Sequence, residues 1–204
     1  KGSTQTRLNN ILAENAVATI EEVNYDECVR MANDMAMKTE NGVMVQDTAW
    51  EGYEEIPAWI MQGYGTMVME ANDQLHEYGC DRPTHVFIQA GVGSLAGAVQ
   101  GFFANRYPDN PPKVIVVEAE AAACLYKGAA LGDGSIQIVD GDMVTIMAGL
   151  ACGEPNTISW DILKNHVDTF VAAPDWVAAK GMRMLAAPIK GDPAVTSGES
   201  GAAP

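Results

Sequence analysis

Positive charge is scarce in this chain of 204 residues. Lys and Arg number 12 against 27 Asp and Glu, which gives a formal net charge of −15. Nucleic-acid binding needs clustered Lys and Arg, and the few basic residues here are scattered, so we expect no nucleic-acid partner. The simplest interpretation of the acidic excess is the solvated surface of a cytoplasmic protein.

Cysteine, histidine and long apolar runs are scarce as well. The 4 cysteines and 3 histidines are widely spaced, without a CxxC pair or a ligand cluster, so we predict neither a disulfide framework nor a metal site. A charge or a glycine interrupts every apolar run before it could cross a bilayer, so we expect no membrane partner. Lys1 leads straight into polar residues without a targeting segment, and we expect that the chain begins at a cut.

The segments that are present alternate between helical and strand-like patterns, which is typical of an α/β protein with an open parallel sheet. The predicted helices are residues 5–15, 24–38, 56–78, 94–104, 119–129, 159–165 and 175–185, and the predicted strands are 17–23, 43–45, 84–89, 113–117 and 169–171. Asp175 is the expected N-cap of the last helix. A long polar and aromatic loop at residues 47–53 indicates a crossing between two domains, residues 1–46 and 47–204.

A glycine turn at residues 90–93 joins a predicted strand to a predicted helix within a βαβ unit. Glycines let a backbone approach a ligand closely, and the N–H groups at the start of a helix favour an anion. Open α/β sheets also bind ligands beyond the carboxyl ends of their strands. The turn is therefore a candidate site for a phosphate group.

The same glycines fit a second chemistry. Gly91, Gly93 and Gly97, with Glu118 ending the next strand, are also typical of a dinucleotide-binding fingerprint in which the carboxylate binds a ribose. Spacing alone favours this interpretation, which would make the protein an NAD-linked oxidoreductase. A tight turn without any ligand is a third interpretation. These residues by themselves leave all three open.

Longer stretches of the sequence resemble one family. The stretches are QDTAWEGY at 46–53, IP at 56–57, WIMQGY at 59–64, QAGVG at 89–93, DM at 142–143, TIMAGLACGEPN at 145–156 and SGESG at 197–201. Together they resemble the 2,3-diaminopropionate ammonia-lyases, pyridoxal-phosphate-dependent enzymes of fold type II built like tryptophan synthase β and threonine dehydratase. The resemblance implies the later part of the small domain at residues 1–46 and part of the large, cofactor-phosphate-binding domain at 47–204.

The resemblance also implies an activity and a cofactor site. The family eliminates ammonia from 2,3-diaminopropionate to give pyruvate, with pyridoxal 5'-phosphate (PLP) as the electron sink. Backbone N–H groups would hold the cofactor phosphate. The implied cofactor-binding residues are Ala90, Gly91, Val92, Gly93, Ser94 and Leu95, with Glu118 near the pocket. Relatives usually carry proline after that glutamate, whereas this chain has Ala119.

Asp47 is the catalytic candidate among the residues present. A protonated carboxyl group at this position could donate a proton to the leaving amine, or a carboxylate could bind the second ammonium of the substrate. The alternative is structural, with Asp47 capping its own loop through the amide of Thr48 or Ala49. Trp50 and Tyr53 either line the substrate pocket or attach the loop to the following helix.

The Schiff-base lysine that the family requires has no counterpart here. The Schiff-base lysine is expected upstream, because none of the seven lysines stands in a matching context; these are Lys1, Lys38, Lys113, Lys127, Lys164, Lys180 and Lys190. We therefore expect a C-terminal fragment that is inactive alone. Its expected partners are the missing N-terminal part, a small amino-acid substrate and a second copy in a homodimer. A non-catalytic binding module that has lost its lysine is the alternative.

Cys124 and Cys152 both follow segments expected at the carboxyl end of the sheet. We predict that their Cα atoms lie close together, and a disulfide at about 4.4–6.8 Å is one interpretation of such a pair. Two independent buried thiols are the alternative, since a bridge would be unusual in a cytoplasmic protein.

Overall fold

The computed structural model describes residues 3–204, and the expectations that concern Lys1 lie outside the described residues. The chain divides into two compact units, Lys1–Met44 and Val45–Pro204. This division falls close to the crossing predicted at residue 47. The assignment of the two parts to a small and a large domain stays a prediction.

The first unit contains two helices, α1 (Gln5–Ala13) and α2 (Tyr25–Lys38). Asn24 caps α2, as its side chain accepts a hydrogen bond of 2.9 Å from the amide of Glu27. The strands predicted at 17–23 and 43–45 are wrong, because the described residues there form none. Val17 is 99% exposed, and an apolar run forms a strand only where a neighbouring strand and a packed face receive it.

The second unit is built around a parallel sheet. Its elements are α3 (Glu55–Glu77), β1 (His85–Gln89), α4 (Ser94–Arg106), β2 (Lys113–Ala119), α5 (Cys124–Leu131), α6 (Thr157–His166), β3 (Thr169–Ala173) and α7 (Asp175–Ala186). The strands lie in the order β1-β2-β3, and both pairings are parallel. The α/β class and the βαβ unit predicted from the sequence are thus confirmed. No described helix has the length and apolar character of a membrane span.

β2 lies at the centre of the sheet and is covered on both faces. Val114 and Val116 belong to a core formed with α4, α5 and α6. Ile115 and Val117 point to the opposite face, where they pack in a second core that includes Met147. This alternation follows from the two-residue period of a strand, and covering both faces makes β2 almost wholly apolar. The strand ends are therefore held by a rigid, two-sided core.

The predicted start of α5 and the predicted N-cap of α7 differ from the structure. β2 continues through Ala119, which pairs with Ala173, so the next helix begins at Cys124 after a short 3₁₀ turn. Pro174, with an extended backbone, occupies the N-cap position of α7, so the prediction that Asp175 is the cap is wrong. Asp175 instead accepts hydrogen bonds from the hydroxyl of Thr145 and, at 3.2 Å, from the amide of Ile146.

Candidate functional site

The turn after β1 leads directly into α4, as the sequence predicted. Gly93 is the N-cap residue of α4 and has a φ of +99°, a conformation that residues with a side chain rarely adopt. β1 pairs in parallel with β2, and the turn follows the carboxyl end of β1. This is the edge at which open α/β sheets bind ligands.

The backbone amides of this turn are available to a ligand. Within the described part of the chain, no group accepts a hydrogen bond from the amides of residues 91–95. These amides lie at the start of a helix of 13 residues, where the N–H groups and the helix dipole favour an anion. Ala90 differs from the prediction, because its amide donates to the carbonyl of Val117 at 2.9 Å. The β1–β2 ladder extends one residue further than expected and uses that N–H group.

The glycines of the turn are packed closely from behind. A Cβ atom on Gly91 would lie 3.2 Å from the Sγ of Cys152, and one on Gly93 would lie 2.9 Å from the Oγ of Ser159. Both distances are tighter than ordinary side-chain contacts. The turn therefore forms a cradle that a larger residue would fill or displace, with its amides left unpaired, and this fits a bound phosphate group.

A buried polar cluster connects the turn to the loop that contains Asp47. The side chain of Asn156 donates to the carbonyl oxygen of Asp47 at 2.6 Å and to the Oγ of Ser94 at 2.9 Å. The hydroxyl of Ser94 donates to the same carbonyl of Asp47 at 2.8 Å. Asn156 is 0% and Ser94 1% exposed. The backbone at Asp47 is thereby held against the first residue of α4.

The carboxylate of Asp47 is half-buried and accepts a hydrogen bond from the hydroxyl of Tyr64 in α3, at 3.3 Å. Burial and the nearby Asp47 carboxylate raise the pKa of Tyr64. The alternative role of Asp47, as a cap that accepts a hydrogen bond from the Thr48 amide, is wrong. The side chain of Gln46 has this role, because its Oε1 accepts the hydrogen bond from the Thr48 amide at 2.7 Å. The catalytic role of Asp47 stays a prediction.

The aromatic residues of the loop contact each other. The rings of Trp50 and Tyr53 stack with their centroids 4.5 Å apart. The hydroxyl of Tyr53 accepts a hydrogen bond from the amide of Gln46 at 3.1 Å. These contacts close the loop on itself and hold its start, which includes Asp47, in place.

Glu118 is fully buried behind the turn. It is 0% exposed, and its carboxylate accepts hydrogen bonds from the amides of Leu125 at 2.9 Å and Tyr126 at 2.6 Å. Burial raises the pKa of Glu118 to about 7, although these hydrogen bonds act in the opposite direction. Glu118 thus caps the first turn of α5. Leu125, in that turn, packs against the glycine turn, because a Cβ atom added to Gly93 would lie 3.3 Å from its side chain. A direct contact of Glu118 with a cofactor stays a prediction.

Cys124 and Cys152 are both buried, and neither forms a disulfide. The thiol of Cys124 donates to the carbonyl oxygen of Cys152 at 3.7 Å, so the two segments are in contact as expected, without a disulfide. Burial, together with the neighbouring Glu118, raises the pKa of the Cys124 thiol. In the described residues, no three His, Cys, Asp or Glu side chains are grouped to hold a metal ion.

Sequence reasoning missed Asn156 and Tyr64. Asn156 stands directly before Thr157, the first residue of α6, and its Oδ1 accepts from the Ser159 amide at 2.9 Å as an N-cap. That local pattern could have predicted the cap. The contacts of its side-chain amide with Asp47 and Ser94 join residues that are distant in sequence, and no local signal predicts them.

Comparisons with known proteins agree with these features. The model of the family described as pyridoxal-phosphate dependent enzyme matches residues 1–203. The diaminopropionate ammonia-lyase of Salmonella typhimurium is 54% identical over 203 residues, covering 99% of this chain and 50% of the relative. The enzyme of the same name from Escherichia coli K12 is 48% identical over 202 residues, with coverages of 99% and 50%. The chain thus spans about half the length of the curated relatives it matches.

Solved structures give the same result. The diaminopropionate ammonia-lyase of Escherichia coli, in complex with an aminoacrylate–PLP azomethine reaction intermediate, matches with a TM-score of 0.91 and 47% identity. The match covers 100% of this chain and 50% of that one. Maize serine racemase, at 17% identity and a TM-score of 0.76 over 99% of this chain and 54% of that one, shows the fold alone. The resemblance inferred from the sequence motifs and the type II fold are confirmed.

Proposed function

Since this chain belongs to the pyridoxal-phosphate dependent enzymes, we propose that it forms part of a lyase that converts 2,3-diaminopropionate to pyruvate and ammonia. The observation that carries the proposal is the row of unpaired amides at residues 91–95, fixed beside Asp47 by the buried cluster around Asn156. The chain matches half the length of its relatives, so we assign the Schiff-base lysine to a part of the enzyme outside this chain.

The turn would hold the phosphate group of PLP. Its donors are neutral backbone amides at a helix start, which suit a doubly charged anion because they are already aligned before binding. Gly91, Val92, Gly93, Ser94 and Leu95 would provide these donors. PLP, when bound, withdraws electrons from the α-carbon of the substrate. Glu118 would act from behind the turn by fixing the start of α5.

Asp47 would act on the amine that leaves. The hydroxyl of Tyr64 hydrogen-bonds to Oδ2 of Asp47, and Oδ1 accepts no hydrogen bond from the described residues. Oδ1 can therefore bind the second ammonium of the substrate, which already carries three protons and leaves as neutral ammonia; a protonated Asp47 would instead donate its proton to a neutral leaving amine. Tyr64 would orient the carboxylate, and its raised pKa keeps it protonated for that role.

The remaining parts of the proposal concern the whole enzyme. Residues 1–46 would belong to its small domain and 47–204 to its large domain. The enzyme would act in the cytoplasm as a homodimer on a small amino-acid substrate, and this chain alone would be inactive. These assignments rest on the family and on the share of the relatives' length that the chain covers.

The test is an assay of the intact enzyme, with this chain as its later part. Pyruvate release from 2,3-diaminopropionate is measured in the presence of PLP, and serine serves as a substrate that lacks the second amine. We expect turnover that depends on PLP and is faster with the diamine. An intact protein that releases no pyruvate, or that reduces NAD with any hydroxy acid offered, would contradict the proposal.

A further inference from the structure

We propose that Asn156 is a positioning residue that couples Asp47 to the phosphate-binding turn, so that the two are fixed relative to each other. The inference rests on the proposed function, in which Asp47 acts on the substrate and the turn holds the cofactor. Asn156 touches neither substrate nor cofactor in this scheme. Its role is to hold Asp47 and the phosphate-binding turn at a fixed distance and orientation relative to each other.

The first support is a closed triangle of hydrogen bonds. One amide nitrogen, the Nδ2 of Asn156, donates to the Asp47 carbonyl at 2.6 Å and to the Ser94 hydroxyl at 2.9 Å. The third side is the bond of 2.8 Å from Ser94 to Asp47. Each of the three residues contacts the other two, so none can shift without breaking two hydrogen bonds.

The second support is that the orientation of the Asn156 amide is fixed. Its Oδ1 accepts from the amide of Ser159 at 2.9 Å, while its backbone amide donates to the carbonyl of Val92 at 2.8 Å. A flipped side chain would set its oxygen against the Asp47 carbonyl and its N–H groups against the Ser159 amide. Both contacts would be repulsive in a site that is wholly buried. The cluster therefore has one arrangement.

The third support is the choice of side chain. Aspartate has the same shape but lacks both donors and would place a negative charge beside a carbonyl oxygen. Leucine keeps the volume and leaves the carbonyl of Asp47 with one donor instead of two. The neighbouring bond from the Thr157 amide to the Ala49 carbonyl, at 3.2 Å, joins backbone groups that these substitutions leave in place. Substitution should thus loosen the coupling without releasing the loop.

The experiment compares Asn156→Ala and Asn156→Leu with the wild type in the intact enzyme. Asn165→Ala is the matched control, because Asn165 lies on the same helix, is exposed and donates to the carbonyl of Asp161 at 2.7 Å. Inorganic phosphate affinity of the PLP-free protein is measured by calorimetry, and kcat by pyruvate release. We expect about tenfold losses in both for the Asn156 variants, the size of one hydrogen bond to a buried group. The control should match the wild type.

A cycle with Asp47→Asn separates positioning from a purely structural role. If Asn156 acts through Asp47, then Asn156→Ala adds no further loss of kcat to an enzyme that already carries Asp47→Asn. Because Asn156 also caps α6, either role lowers the melting temperature. A purely structural role would in addition give additive effects on kcat and an unchanged phosphate affinity, and this result would overturn the inference. Should Asn156→Ala fail to fold, Ser94→Ala removes another corner of the triangle and is expected to weaken phosphate binding a few-fold.

A readout independent of activity distinguishes this inference from the proposed function. Hydrogen exchange of the Thr48 and Gly97 amides reports on the loop and on the first turn of α4, and the buried Val116 reports on global opening. We expect about tenfold faster exchange at both reporters in Asn156→Ala, the size of one lost hydrogen bond, with Val116 unchanged. Faster exchange at the start of α6 alone would overturn the coupling. If the intact wild-type enzyme shows no lyase activity, the proposed function is wrong. The exchange measurement would still test whether Asn156 couples the loop to the turn.

Discussion

Replacing Gly93 by alanine perturbs the turn in two ways that can be separated. The residue has a φ of +99°, and a side chain in this region costs about 1–2 kcal/mol of backbone strain. The new Cβ would also lie 2.9 Å from the Oγ of Ser159 and 3.3 Å from methyl groups of Leu125 and Leu163. Overpacking of this kind costs about 1–3 kcal/mol. We therefore expect Gly93→Ala to lower the free energy of unfolding by about 2–5 kcal/mol.

Gly101→Ala is the control for this substitution. Gly101 lies in the middle of α4, and a Cβ there would meet nothing within 4 Å. Because alanine is favoured over glycine inside a helix, this variant should be as stable as the wild type or up to about 1 kcal/mol more stable. Urea unfolding measures both, and phosphate calorimetry on the PLP-free intact enzyme should show weaker binding for Gly93→Ala alone. Equal stability of the two variants would refute the assignment of strain to the turn.

Three further predictions concern the charged groups and the chain itself. In the intact enzyme, Asp47→Asn should lower kcat for pyruvate release by about 10²–10⁴-fold and spare PLP affinity; unchanged turnover would leave Asp47 a structural residue. Because burial raises the pKa of Glu118 from 4.5 to about 7, the folded state binds more protons than the unfolded state. Stability of this chain should then fall by about 3 kcal/mol as pH rises from 4.5 to 7, and Glu118→Gln should remove that slope in urea unfolding. This chain alone should release no pyruvate and form no PLP–lysine adduct by mass spectrometry, and turnover would show that the site is complete without the missing part.

The sequence predicted the elements whose signals are local. The periodicity of α3 and the apolar run of β2 are strong in themselves, and the glycines between β1 and α4 mark a turn that the structure confirms. The strands predicted at 17–23 and 43–45 failed for a physical reason. Alternating apolar residues specify a strand only in the presence of a partner, and the sequence of a segment does not contain its partner.

The site was predictable only in its backbone part. Residues 91–95 could be identified because a phosphate-binding turn is formed by consecutive residues and therefore leaves a local pattern in the sequence. The bonds from Asn156 and Tyr64 to Asp47 join positions 109 and 17 residues apart, so they follow from the packing of the helices. Glu118 was assigned to the cofactor pocket from the resemblance to the family, whereas its place at the end of a strand had suggested a ribose-binding role. Its contacts with α5 depend on where that helix begins, which the sequence misplaced.

Among α4, α5 and α6, the capping of the helix starts shows which one is open to an anion. α6 receives the side chain of Asn156 at its start, and the first amides of α5 receive the carboxylate of Glu118. The start of α4 has no side-chain cap, and its N-cap is a glycine, which has no side chain to offer. All three starts carry the same surplus of N–H groups and the same partial positive charge. Since two are neutralised from within the protein and the third is not, the unpaired donors that a phosphate group requires are concentrated at Gly93.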